Sequence, residues 1–197
     1  MATESSEITQ DIYQLKITLL GTNPPIWRRI LVPADLTLAK LHKVLQIAMG
    51  WHDEHMHEFR AGRRRFGRPE PQDPFMRMPH VESERTALLS AVLGRAGAKI
   101  TYTYDFGDSW EHSVVLEKRL PEEPHNTYPI CTDGQLACPP EDCGGIPGYY
   151  DLLDVLADPG HPRHEELQDW ISEFDPQAFS LDQVNRRLSP ARRRNKG

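Results

Sequence analysis

Apolar and polar residues alternate with period two from Tyr13 to Leu19, which predicts a strand with one face buried. Gly21, Pro24 and Pro25 mark a turn, and residues 26–32 read as the returning strand of a hairpin. The period then changes. Thr37 is a fitting N-cap for a helix running to Met49, with Leu38, Leu41, Val44, Leu45 and Ala48 on one face and Gly50 just past its end. Trp51 follows at once. If the residues up to Phe59 are a strand, His55 and His57 share one face and Met56 and Glu58 the other.

A second hairpin turns at Gly62, and residues 67–82, with four prolines, read as a long loop. A short helix is predicted over 85–93. Residues 99–104 and 113–117 form a hairpin whose connection carries Asp105, Gly107, Asp108, Glu111 and His112. Six prolines between 121 and 147 predict irregular backbone, and helices return over 149–157, 164–174 and 180–188. A hairpin, a helix, more strands and then a helical tail, with no regular βαβ alternation, predict an α+β domain. Its expected form is a mostly antiparallel sheet of hairpins, one long helix packed on it and a C-terminal helical segment. Residues 1–11 read as a lead-in, 12–188 as the single domain, and 189–197 as a basic flexible tail.

Net charge is −6, but it is unevenly spread. Residues 101–185 carry 3 Lys/Arg against 18 Asp/Glu, while residues 186–197 carry 6 basic residues and no acids. An acidic second half repels nucleic acid, so phosphate contacts are restricted to local clusters. The candidates are Arg63, Arg64 and Arg65, with Phe59 and Phe66 beside them, and Arg192, Arg193 and Arg194 in the tail. Solvation, or pairing with the molecule's own acids, is the plainer account of both. No apolar run approaches the ~20 residues that span a bilayer, and the polar start lacks a signal core. A cytoplasmic protein with reduced cysteines and no membrane partner is expected.

Two groups of residues have ligand chemistry. The first is His55, His57, Asp105, Asp108 and His112, imidazoles and carboxylates that suit zinc, manganese or iron, with hydrolytic chemistry by activation of a bound water. The alternative is a hydrogen-bonded lock between histidines and acids. Either way the histidine-bearing face is expected beside the acidic turn. The second is Cys131, Cys138 and Cys143, where only the latter two have the spacing common in zinc sites. Three reduced, semi-buried thiols in a Pro- and Gly-shaped loop are the alternative.

Ile26-Trp-Arg-Arg, Gly50-Trp with His55-Met-His-Glu-Phe, Tyr104-Asp-Phe-Gly-Asp-Ser-Trp-Glu-His and Cys138-Pro-Pro-Glu-Asp-Cys-Gly-Gly with Gly148-Tyr occur in that order. This series resembles the plasmid ORF-3-like family, often labelled an insertion-element passenger with a resolvase-type name. The likeness covers residues 12–188 and implies one α+β domain linked to mobile elements. The resolvase label fits the residues poorly. Ser109 is flanked by Asp105, Asp108 and Glu111, which oppose both its activation and the approach of phosphate. Two functions follow. The first is a non-catalytic binding or accessory module of mobile-element or nucleic-acid machinery, with a protein or nucleic acid as partner. The second is a metal-dependent hydrolase built on the His/carboxylate cluster.

Overall fold

The alternation at the start of the chain becomes an antiparallel hairpin, β1 (Asp11–Leu19) against β2 (Trp27–Pro33). Leu15, Ile17 and Leu19 turn inward from β1, and Ile30 and Val32 from β2. Trp27 is half-buried on the opposite side, because the same alternation sends Ile26 and Arg28 inward. Two cations approach its ring, Lys16 Nζ at 4.9 Å and the Arg29 guanidinium at 5.0 Å from the centroid. The computed structural model describes residues 11–69, 80–171 and 174–189. The lead-in as far as residue 10 and the tail from residue 190 lie outside them.

Helix α1 (Leu38–Met49) starts at Thr37, whose hydroxyl accepts the Lys40 N–H at 3.3 Å. It ends at Gly50, which takes φ 96° and donates its N–H to the Gln46 carbonyl at 2.9 Å. Leu38, Leu41, Val44, Leu45, Ala48 and Met49 are buried. Each large aliphatic side chain so removed from water contributes about 1.5–3 kcal/mol before entropy is counted. The single long helix expected from the sequence is not found. The left-handed cap at Gly50 stops α1 at 12 residues, and α3 (Gly145–Ala157) has 13.

The remaining strands are β3 (His57–Ala61), β4 (Arg64–Gly67), β5 (Val81–Ser83), β6 (Lys99–Tyr104), β7 (Trp110–Pro121) and β8 (Ile130–Gln135). They form one eight-stranded sheet in the order β5-β4-β3-β6-β7-β1-β2-β8, antiparallel except for β4 with β5. Two strands fall where loop was expected. β5 pairs only three residues with β4, and β8 pairs with β2 through a register shift between Arg29 and Ile30 that hides its alternation. The predicted helix over 85–93 contracts to α2 (Leu89–Val92). The chain before it is tied to α1 instead: Ala39 N–H donates to the Glu84 carbonyl at 3.0 Å and Leu38 N–H to that of Ala87 at 2.9 Å.

Helices α4 (His164–Ile171) and α5 (Leu181–Leu188) complete a single α+β domain. Ser180 caps α5, and Asn185 clamps it to β8, its side chain bonding both the N–H and the carbonyl of Cys131 at 2.8 Å. Among the described residues no helix is long and apolar enough to cross a membrane.

Candidate functional site at the junction of three loops

The connection between β6 and β7 is a tight turn. Asp105 and Ser109 both take φ 56°, Ser109 N–H donates to the Asp105 carbonyl at 2.6 Å, and Gly107 N–H donates to the Asp105 carboxylate at 2.9 Å. Asp105 N–H also donates to the Met56 carbonyl at 2.8 Å, which ties the turn to the stretch before β3. On its other side the turn receives the segment that opens α3. Gly144 N–H donates to the Asp108 carboxylate at 3.1 Å. A Cβ on Gly145 would lie 2.5 Å from the Asp108 carbonyl oxygen, and one on Gly148 would lie 1.9 Å from that of Cys143. Close backbone approach is the physical reason for those glycines.

The third contact is polar and partly buried. Trp51 Nε1 donates to the Pro139 carbonyl at 3.0 Å. Tyr104 donates its hydroxyl to Glu141 Oε1 at 2.5 Å while its oxygen accepts the N–H groups of Glu54 at 3.0 Å and His55 at 3.3 Å. Burial, and then the Glu141 carboxylate, push the Tyr104 phenol above its ordinary range, so it stays a donor. Glu141 Oε2 accepts the His52 N–H at 2.9 Å and faces His52 Nδ1 at 2.8 Å. The stretches 51–56, 104–109 and 138–148 thus form one junction.

The five-residue His/carboxylate group divides among separate places. His55 lies in a bend before β3, with Nε2 3.1 Å from Asp142 Oδ1 and Nδ1 3.8 Å from Asp105 Oδ2. His57 opens β3 and is buried elsewhere, with Nε2 2.6 Å from Glu84 Oε2. The expectation of a shared strand face fails because the strand begins only at His57. His112 is fully buried, its Nδ1 against the carbonyls of Trp110 at 3.0 Å and Tyr102 at 3.3 Å. Burial lowers its pKa to about 4, so it is neutral at pH 7. Asp108 is engaged by Gly144.

His57 stacks on His42, a polar position of α1 with no motif around it. The rings of His42 and His57 are 3.5 Å apart and inclined by 7°. His42 Nδ1 meets the Tyr102 hydroxyl at 2.8 Å and Nε2 meets Asp53 Oδ1 at 2.5 Å, while Gln46 donates to Tyr102 at 2.9 Å. Burial, then the charge of His57, lowers His42 to about 4. His42, Asp53 and His57 bring three possible ligand atoms within 4.8 Å of one another. An ion binds imidazole in the ring plane, and two parallel planes 3.5 Å apart do not share one. The group is a hydrogen-bonded lock between α1 and the sheet.

The cysteines do not assemble. Among the described residues no three potential ligands that include a cysteine converge. Cys131 is buried and donates to the Asp133 carbonyl at 3.4 Å. Burial pushes the Cys138 thiol up to about 11, and burial with the Asp108 charge pushes Cys143 to about 12, which disfavours the thiolate that zinc requires. The arginine strip is largely neutralised. Arg64 forks onto Glu82 at 2.8 and 2.7 Å and covers Phe66, and Arg65 and Arg60 both pair with Glu58. Arg63 is exposed. Arg192, Arg193 and Arg194 lie outside the described residues.

Beside the junction lies a cleft of 470 Å³, lined among others by Trp51, His52, Pro139, Glu141, Trp170 and Phe174. Trp51 is 7% exposed and forms its floor, whereas Trp170 is 50% exposed.

A one-sheet α+β scaffold whose motif-bearing loops interlock beside a cleft is the class of protein these features define. The chain belongs to the plasmid pRiA4b ORF-3-like family, whose model matches residues 11–183. It is similar to the uncharacterized protein y4hQ of Sinorhizobium fredii, 38% identical over 180 residues and 89% of each chain. It is also similar to a crystal structure of a protein of unknown function, MM3350, from Methanosarcina mazei Go1. That match has TM-score 0.80 and 38% identity, covering 89% of this chain and 98% of the other.

Proposed function

We propose that the chain is a non-catalytic binding module, an accessory of mobile-element or other nucleic-acid machinery in the cytoplasm. Its partner is a protein, and the contact is a basic, apolar peptide segment seated in the cleft beside the three-loop junction. The half-exposed Trp170, lining the same cleft as the buried Trp51, carries this reading, since aromatic anchors at the edge of a formed cleft dominate peptide recognition. Charge supports a basic occupant: Glu141 lines the cleft, and residues 101–185 hold 3 Lys/Arg against 18 Asp/Glu. The pairing of Arg60, Arg64 and Arg65 with the protein's own carboxylates argues against that strand pair as a phosphate surface. Family membership supports the mobile-element setting, and three free cysteines support a reducing compartment.

The test is a tryptophan-fluorescence titration with ten-residue peptides of matched apolar content and basic, acidic or neutral charge, and with duplex DNA. Binding of the basic peptides alone, weakened about 30-fold or more by Trp170→Ala, is expected. Binding of DNA in preference to every peptide, or equal binding by the variant, contradicts it. The second reading, a metal-dependent hydrolase, is favoured by one observation, the grouping of His55 with Asp105 and Asp142.

A further inference from the structure

We infer that His55, Asp105 and Asp142 bind one divalent transition cation, Zn²⁺ or Mn²⁺, at the seam between the β6–β7 turn and the 138–145 loop. One ligand atom from each residue lies within 4.8 Å of the other two. The three come from different loops, so an ion there would cross-link the stretches already joined by Tyr104 and Asp108.

His55 supplies the independent observation. Its Nε2 is shielded from solvent and has no hydrogen-bond partner, although the side chain as a whole is 28% exposed. The Asp142 Oδ1 stands 3.1 Å away but out of line with the ring N–H direction, so the pair is close without being hydrogen-bonded. Two ligands each about 2.1 Å from one ion and 3.1 Å apart subtend roughly 95° at it, an ordinary bite for a four- to six-coordinate metal. Asp105 has its Oδ1 committed to Gly107 N–H, while its free Oδ2 stands 3.8 Å from His55 Nδ1, so joining an ion held at Nε2 takes a turn of the His55 ring or of the Asp105 carboxylate. Asp142, 63% exposed, has room to turn and close the site.

One imidazole and two carboxylates form a borderline-to-hard donor set, which suits Zn²⁺ or Mn²⁺ better than a thiophilic ion. Their combined charge of −2 balances a divalent cation. Three protein ligands leave positions for water or for an oxygen of a bound partner. The inference depends neither on peptide binding nor on turnover, because the ion is held by residues outside the cleft lining.

The experiment is equilibrium dialysis of the tag-free full-length protein against ZnCl₂ or MnCl₂ at pH 7, with the ion counted by elemental analysis. Melting temperature is recorded with and without the ion. One ion per chain is expected for the wild type and for Cys143→Ser, together with a rise in melting temperature. A loss of affinity of tenfold or more is expected in His55→Ala and in Asp142→Asn, and Asp142 is exposed enough for that variant to fold. Failure of both ions to bind the wild type overturns the inference. So does unchanged binding in Asp142→Asn, or loss in Cys143→Ser alone.

Discussion

One phenol joins all three loops of the junction: Tyr104 donates to Glu141 across 2.5 Å and accepts the backbone N–H groups of Glu54 and His55. The Tyr104→Phe variant keeps the ring and its stacking on Trp51, 5.1 Å between centroids, but leaves these groups without their shared partner. Loss of a buried hydrogen-bond partner costs about 1–3 kcal/mol. Urea unfolding is expected to show a loss of that size, and an unchanged midpoint would mean that the loops are held without the hydroxyl.

Gly145 separates docking from backbone freedom. It takes φ 67°, and an added Cβ would stand 2.5 Å from the Asp108 carbonyl. Gly50 also takes a left-handed conformation, φ 96°, but has nothing within 4 Å of its Cβ position. Gly50→Ala is expected to cost about 1–2 kcal/mol, the penalty for placing an L-residue there. Gly145→Ala should cost measurably more, because it also pushes the turn away. Equal losses in chemical denaturation would show that the turn does not press on this segment.

Stability should fall with acid before the carboxylates titrate. Burial lowers His42 and His112 to about 4 in the folded protein, below the unfolded value of about 6.5. Between those values the unfolded chain binds more protons, so stability is full above pH 6.5 and declines as pH falls toward 4. Each histidine contributes on the order of 3 kcal/mol over that window. Asp53, Glu58 and Glu84 add a further loss at lower pH. Burial, the largest single influence, raises these carboxyls, but the hydrogen bonds and charges of Lys43 with His42, of Arg65 with Arg60, and of His57 with His42 and Arg68 respectively outweigh it together and hold them below their usual range. A melting temperature flat from pH 6.5 to 4.5 would contradict the account.

Trp51 carries both packing and a polar bond. Its ring lies 5.1 Å from Tyr104 and 5.3 Å from His112, and its Nε1 reaches Pro139. Trp51→Ala is expected to cost about 3–5 kcal/mol by calorimetry or denaturant titration. A variant that melts like the wild type would mark the ring as a surface group.

The elements written in local pattern were legible from the sequence: the β1–β2 hairpin, α1 with Thr37 and Gly50 at its ends, and the β6–β7 hairpin with its acidic turn. What local pattern does not encode is which distant side chain answers a polar residue. His42 and Gln46, four residues apart on α1, were visible only as polar positions flanking the apolar stripe. Their burial follows from Tyr102, sixty residues further on. Glu84 lies between the aperiodic loop and the predicted helix, yet it is 3% exposed and bonded to His57. Asp142 sits in a proline-rich stretch without period, and the one local sign that this backbone is docked is the glycine pair at 144 and 145. Size alone would send Trp27 to the core, but strand parity turns it outward between the buried Ile26 and Arg28.

The indole N–H signals of Trp27, Trp51, Trp110 and Trp170 in a ¹⁵N-labelled sample report directly on where a partner peptide sits. Titration with a basic, apolar decapeptide is expected to move the Trp51 and Trp170 signals while Trp27, on the far side of the sheet, stays in place. Movement of Trp27, or of the Arg63–Arg65 side-chain signals, with Trp170 unmoved would contradict the account.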